Sequence, residues 1–157
     1  MLALGIDPGY DRLGIALLSG DASKQTYVHS ECFTPAKGEF IDRLYSAGEK
    51  IREVIAMHKP DSLAIESLFV TNNQKTAMRV GELRGVILYE ARRAGLSVAE
   101  YGPSEIKLAV TGYGKSDKES VTDMVKRLVK IPDSSKRLDD EYDALAIAIT
   151  HLACNKK

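Results

Sequence analysis

The sequence predicts an α/β domain built on a mixed sheet, and three observations carry that prediction. Short apolar runs of strand length open the chain, helical apolar spacing then alternates with two further short runs, and a helix apolar on every side closes it. A length of 157 residues suits one domain, residues 1–157, large enough to bury a core. With 44% apolar and 28% charged residues the chain is composed like an ordinary globule, not a disordered one.

"LALGID" (2–7) is an apolar run ending in an acid, and "PGYD" after it is a turn signal. "LGIALLS" (13–19) resumes an extended pattern, and a third strand over 25–33 completes a meander. In "EFIDRLYSAGEKIREVIAMHKP", Ile41, Leu44, Gly48, Ile51 and Ile55 recur at helical spacing until Pro60 stops the helix. "SLAIE" (62–66) is too short and too apolar to be anything but an inner strand. A helix from about Gln74 to Arg93, a strand over 97–101 and a short helix after Pro103 follow. Helices over 118–130 and from about 139 end the chain.

No apolar run approaches the roughly 18 residues of a membrane span, and "MLALGID" reaches an acid too soon for a signal peptide. A cytoplasmic address with no membrane partner is expected. Cys32 and Cys154 have no metal-type spacing and read as packing residues. Net charge is zero, yet residues 71–137 hold 13 Lys and Arg against 8 Asp and Glu, with the acids concentrated toward the two ends. That asymmetry suits a polyanion bound beside an acidic centre, although solvated helix faces produce similar runs.

Asp7 and Glu66 each end an inner strand, at the edge of an open α/β sheet where ligands bind. Parallel neighbours lie about 4.8 Å apart, so if these strands pair, both carboxylates reach one spot. Two such anions raise each other's pKa unless a cation lies between them. Taken singly, Asp7 also reads as a turn residue before Pro8-Gly9, and Glu66 as a strand-end charge in solvent. "LDDEYDALAIAITH" (138–151) loads four acids onto the front of a helix with little solvent face. Capping and the macrodipole favour first-turn acids by about 0.3–1 kcal/mol each, which accounts for Asp139 or Asp140. Asp143 lies at or past the end of that turn, an i, i+3 neighbour of Asp140. A metal ion shared with Asp7 and Glu66 would supply the charge it needs.

Four blocks in order, "LGIDPGYDRLG", "LAIESLFVTNN", "GELRGV" and "DDEYDALAIAITH", resemble the RuvC family of Holliday-junction resolvases, within the ribonuclease-H-like superfamily. The similarity extends over almost the whole chain. It implies a ribonuclease-H-like mixed five-stranded sheet flanked by helices. It also implies a structure-selective endonuclease that resolves four-way DNA junctions by paired symmetric nicks, in recombination and repair. The family's four metal-binding acids fall here on Asp7, Glu66, Asp140 and Asp143; Asp139 and Glu141 flank the third, and a small shift in helix phase would exchange roles. Hard Mg²⁺, with Mn²⁺ as the alternative, suits an all-oxygen donor set. Two ions per site, about 3.5–4 Å apart, would activate a water and stabilise the departing oxygen, leaving 5′-phosphate and 3′-hydroxyl ends. His29, His58 and His151 need no role in this chemistry.

A phenylalanine is ordinarily a core residue, but the loop "LFVTNNQK" is a poor site for one; the family places an aromatic near the junction crossover, and Phe69 matches it, where stacking on an unpaired base is worth about 1–3 kcal/mol. Lys107 and Lys118 correspond to basic positions the family uses near its active site, and Lys115 accompanies them beside Gly112 and Gly114, whose amides would let a phosphate approach. "GKS" (114–116) is not a phosphate loop, since Ala109 stands where that motif needs glycine. Lys75 and Arg79 are candidate phosphate contacts, whereas Arg92 and Arg93 read as a solvated helix end. A junction has two symmetry-related strands to cut, which a C2 homodimer would satisfy. In the family the helix here spanning about 74–93 forms much of that interface; Ala77, Val80, Gly81, Ile87 and Leu88 give it apolar surface, which would serve equally to pack the helix on the sheet. A branch-migration motor complex is a further partner that the resemblance suggests. Three rivals compete: an actin-like ATPase or sugar kinase, which needs a second lobe; an RNA-processing nuclease with a similar start; and a non-catalytic junction scaffold, which four intact acids argue against.

Overall fold

The computed structural model describes residues 1–68, 73–133 and 137–155. Strands β1 (Leu2–Pro8), β2 (Leu13–Gly20), β3 (Gln25–Phe33), β4 (Ser62–Glu66) and β5 (Ser97–Tyr101) form one sheet in the order β3-β2-β1-β4-β5. The opening meander is antiparallel, while β1, β4 and β5 run parallel. Parallel joints need crossovers, and α1 (Phe40–His58) and α2 (Gln74–Arg93) provide them. The helices α3 (Pro103–Thr111), α4 (Lys118–Leu128) and α5 (Asp139–Cys154) follow. This is the mixed α/β sheet that the sequence predicts.

Period-two alternation sorts the strands onto two cores. Leu4, Ile6, Ile15, Leu17, Leu63 and Ile65 pack with residues of α1 and α2. Ala3, Ala16, Leu18 and Ala64 pack with α5 on the opposite face. The second face is made of small residues, which lets α5 settle close. A Cβ on Gly5 would come within 2.8 Å of Ala148 N and 2.9 Å of Ala148 Cβ, closer than packed atoms tolerate. Leu145 and Ile147 of α5 are wholly buried, each contributing about 1.5–3 kcal/mol.

Local signals fix the helix ends. Lys59 takes a left-handed conformation, its N–H bonded to Ile55 O, and Pro60 prevents continuation. Asn73 and Asp117 accept from Thr76 N and Ser120 N at the starts of α2 and α4. Leu138 precedes α5 and makes no side-chain cap, so the acids of its first turn are left to serve other partners. Cys154 is exposed, contrary to the packing role expected of it, and Cys32 is half-buried. Among the described residues no helix is long and apolar enough to cross a membrane.

Candidate active site

The β1–β4 register pairs Ile6 with Ile65, so Asp7 and Glu66 stand side by side one step further along, at the carboxyl ends of adjacent parallel strands. Gly5 and Ala64 lie two residues before them on the α5 face. Strand alternation therefore turns Asp7 and Glu66 toward α5 as well. Asp7 pairs with Gly14 across β2. A Cβ on Gly14 would run into the Asp140 main-chain carbonyl and come within 3.2 Å of Asp7 Cβ. The front of α5 is thus seated beside Asp7, and Asp143 follows one turn on.

The electrostatics follow from this crowding. Burial, then the charges of Asp143, Glu66 and Asp140, push the Asp7 carboxyl up to about 7, with Lys118 opposing. Glu66 is raised by burial and by Asp143, against Arg84, Lys107 and Lys118. Asp143 is raised chiefly by burial, while its hydrogen bond from Lys118 pulls the other way. Lys118 Nζ lies 3.0 Å from Asp143 Oδ2 and 3.6 Å from Asp139 Oδ2. Arg12 pairs with Asp140 Oδ2 at 3.0 Å. Glu66, Asp143, Lys107 and Lys118 line one cleft of about 250 Å³, walled by Pro103, Ile106 and Val121.

Those who share the cleft and those who do not are readily separated. Glu66, Asp143, Lys107 and Lys118 line the cleft, and Asp7 and Asp140 stand close enough for their charges to act on the same group. Glu141 instead turns to β3, where Ser30 Oγ donates to it at 3.0 Å and Arg137 lies 3.3 Å away. Asp139 is largely exposed. Lys115 is exposed in a turn held by Thr111 Oγ1 and Ser116 Oγ, 2.7 Å apart. Arg79 stacks over the Phe40 ring at 4.2 Å and pairs with Glu82 at 3.0 Å, and Lys75 is exposed at the start of α2. Phe69 lies outside the described residues. His151 is buried and far from this chemistry, with Nε2 2.8 Å from Ser62 Oγ and Nδ1 2.9 Å from the Tyr101 hydroxyl. On α2, Ala77 and Ile87 are buried, and Ile87 belongs to the core that α1 and α2 share with the sheet. Ile87 therefore packs on the chain's own sheet, one of the two roles that the sequence leaves open for it. The sequence reading missed Arg12 and Arg84; both stand inside blocks it had singled out, "DPGYDRLG" and "GELRGV".

The family model described as crossover junction endodeoxyribonuclease RuvC matches residues 3–151. The chain belongs to the RuvC family. Among curated RuvC proteins, that of Moorella thermoacetica is 43% identical over 152 residues, spanning 96% of this chain and 90% of the relative. The Syntrophomonas wolfei protein is 40% identical over 153 residues, spanning 97% and 88%. The structure of Thermus thermophilus RuvC in complex with Holliday junction substrate superposes with a TM-score of 0.89 at 32% identity, covering 96% of this chain and 92% of that one. The fold is therefore that of RuvC, ribonuclease-H-like. The yeast mitochondrial Holliday junction resolvase Ydc2 shares the fold at 14% identity, with a TM-score of 0.71 over 96% of this chain and 78% of that one. RuvC enzymes depend on divalent metal ions.

Proposed function

We propose that the protein is a Holliday junction resolvase, acting as a single nuclease domain in the cytoplasm, with Asp7, Glu66, Asp140 and Asp143 as its ion-binding carboxylates. The observation that carries this reading is the convergence of strand-end acids with the front of α5, where burial first and the charges of Asp143, Glu66 and Asp140 next hold Asp7 up at about 7. Like charges packed this closely need a cation. The donor set fits one: all oxygens, as Mg²⁺ prefers, with cationic side chains already drawn to Asp140 and Asp143. Among the described residues no three His, Cys, Asp or Glu side chains already enclose a site; Lys118 and Arg12 lie against Asp143 and Asp140 instead. These two side chains would swing aside as ions enter, both being on the exposed side of the cluster.

Two bound ions would polarise an attacking water and stabilise the departing 3′ oxygen of the scissile phosphodiester. The chain's own residues arrange what surrounds that step. Lys107 and Lys118 face the cleft and would hold the phosphate against the carboxylate edge. Pro103, Ile106 and Val121 give the cleft a dry wall, which strengthens the electrostatics within it. Cleavage would leave 5′-phosphate and 3′-hydroxyl ends. Paired nicks need two such clefts, so the active form would be a homodimer. Exposed Ile41, Tyr45, Met78 and Tyr89 on α1 and α2 are the apolar surface available for it.

The test is Asp7→Asn assayed on a labelled four-way junction with and without Mg²⁺. The variant is expected to bind the junction as the wild type does and to cut it not at all. Equal nicking by the two proteins would remove the mechanism.

A further inference from the structure

Arg84 sits in the middle of α2 with its side chain only 9% exposed, a placement that is costly for a cation unless its donors are satisfied. Its partners are the carboxyl ends of two parallel strands. One guanidinium nitrogen donates to the main-chain carbonyl of Glu66. Another donates to Glu100 Oε2 on β5 at 2.5 Å. The backbone adds one stitch of its own, Ser67 N to Tyr101 O at 2.8 Å, just where the chain leaves β4. A second cleft of about 190 Å³ opens on this side, lined by Pro8, Glu66, Leu68, Val80 and Arg84. Glu66 and Pro103 line both clefts, with Lys107 and Lys118 on one side and Arg84 on the other.

We infer that Arg84 is a positioning residue for the nuclease reaction: by gripping the Glu66 carbonyl and Glu100 together it fixes the direction in which Glu66 presents its carboxylate to a divalent ion. The inference rests on the resolvase reading above. The last residue of a strand is held on one side only by the sheet, so its side-chain direction depends on what restrains its own carbonyl. Arg84 supplies that restraint from a rigid helix. It also places positive charge behind the carboxylate, opposing the burial and the Asp143 charge that raise Glu66. A lysine at this position would keep the charge and lose the planar fork that reaches both oxygens.

Divalent-ion binding by DNA-free protein is the deciding measurement, made by calorimetry with Mg²⁺ or Mn²⁺ alone on wild type, R84K, R84M and E100A. Groups that orient an ion's ligands change affinity or activity by about 10- to 100-fold when replaced. R84K is expected to bind the ion about 10-fold more weakly and to lose kcat by a similar factor, with KM for the junction within about 2-fold of wild type. Glu100 is half-exposed on an edge strand, so E100A keeps the fold and shows a smaller loss in the same direction. In an E66Q background R84K should cost no further ion affinity, because the two act through one ligand. Wild-type ion affinity in R84K, or an equal loss with and without Glu66, overturns the inference. Should both Arg84 variants fail to fold by circular dichroism, unchanged ion affinity in E100A overturns it as well. A wild-type protein that binds ions and never cuts a junction sinks the resolvase reading, while the DNA-free titrations still report on Arg84.

Discussion

At the scale of single residues, Asp7 shows how a site can be costly to fold. Its carboxyl ordinarily titrates at 3.8 and is held at about 7 in the native protein, so the folded state binds the proton more tightly than the unfolded chain. The stability this contributes is fully present below about 3.8 and is lost as pH rises through about 7. Asparagine mimics the protonated acid at every pH. In EDTA the wild type should therefore lose stability relative to Asp7→Asn between pH 5 and pH 8, by on the order of 2 kcal/mol. Urea denaturation of both proteins at the two pH values checks this, and curves that stay parallel would count against the carboxylate cluster. Residues such as Asp7, Glu66 and Asp143 could be read from the sequence because strand ends and helical phase locate a short side chain. Arg12 and Arg84 could not, since the far end of a long side chain goes where tertiary neighbours put it.

At the scale of elements, strand and helix placement was legible almost throughout, because apolar periodicity and turn residues are local signals. The seat of α5 was not. Gly14 reads in the sequence as an ordinary strand glycine, and its reason appears only when Asp140 is found lying across it. A methyl group there would push the front of α5 off β2 and carry Asp140 away from Asp7. Gly14→Ala should cost about 1–3 kcal/mol of stability and lower single-turnover junction cleavage by about 100-fold, the usual penalty of an ångström's misplacement. Circular dichroism would show the variant folded. Cleavage at the wild-type rate would mean that the helix has room to spare.

At the scale of the whole molecule, the zero net charge concealed what the sheet edge does, gathering acids from both ends of the chain beside Lys107 and Lys118 from its middle. The interface expected on α2 was drawn partly on residues that pack inward, Ile87 among them. Periodicity reveals an apolar stripe without saying which neighbour it meets. The groove between α1 and α2 is flanked by Ile41 and Tyr45, both 70% exposed. Tyr45→Glu would place a charge in the middle of any contact between two copies there. If the active form is the proposed homodimer, the variant should sediment as a monomer where the wild type does not, and leave cruciform plasmid nicked rather than linear. A Tyr45→Glu protein that stays dimeric would move the contact elsewhere.

At Gly5 and Gly14, α5 meets bare main chain, and a methyl group at either point would hold it off the sheet. Any fluctuation that lifts the helix parts its acids from those on the strands. The close seat of the helix and the proposed cleavage therefore depend on each other.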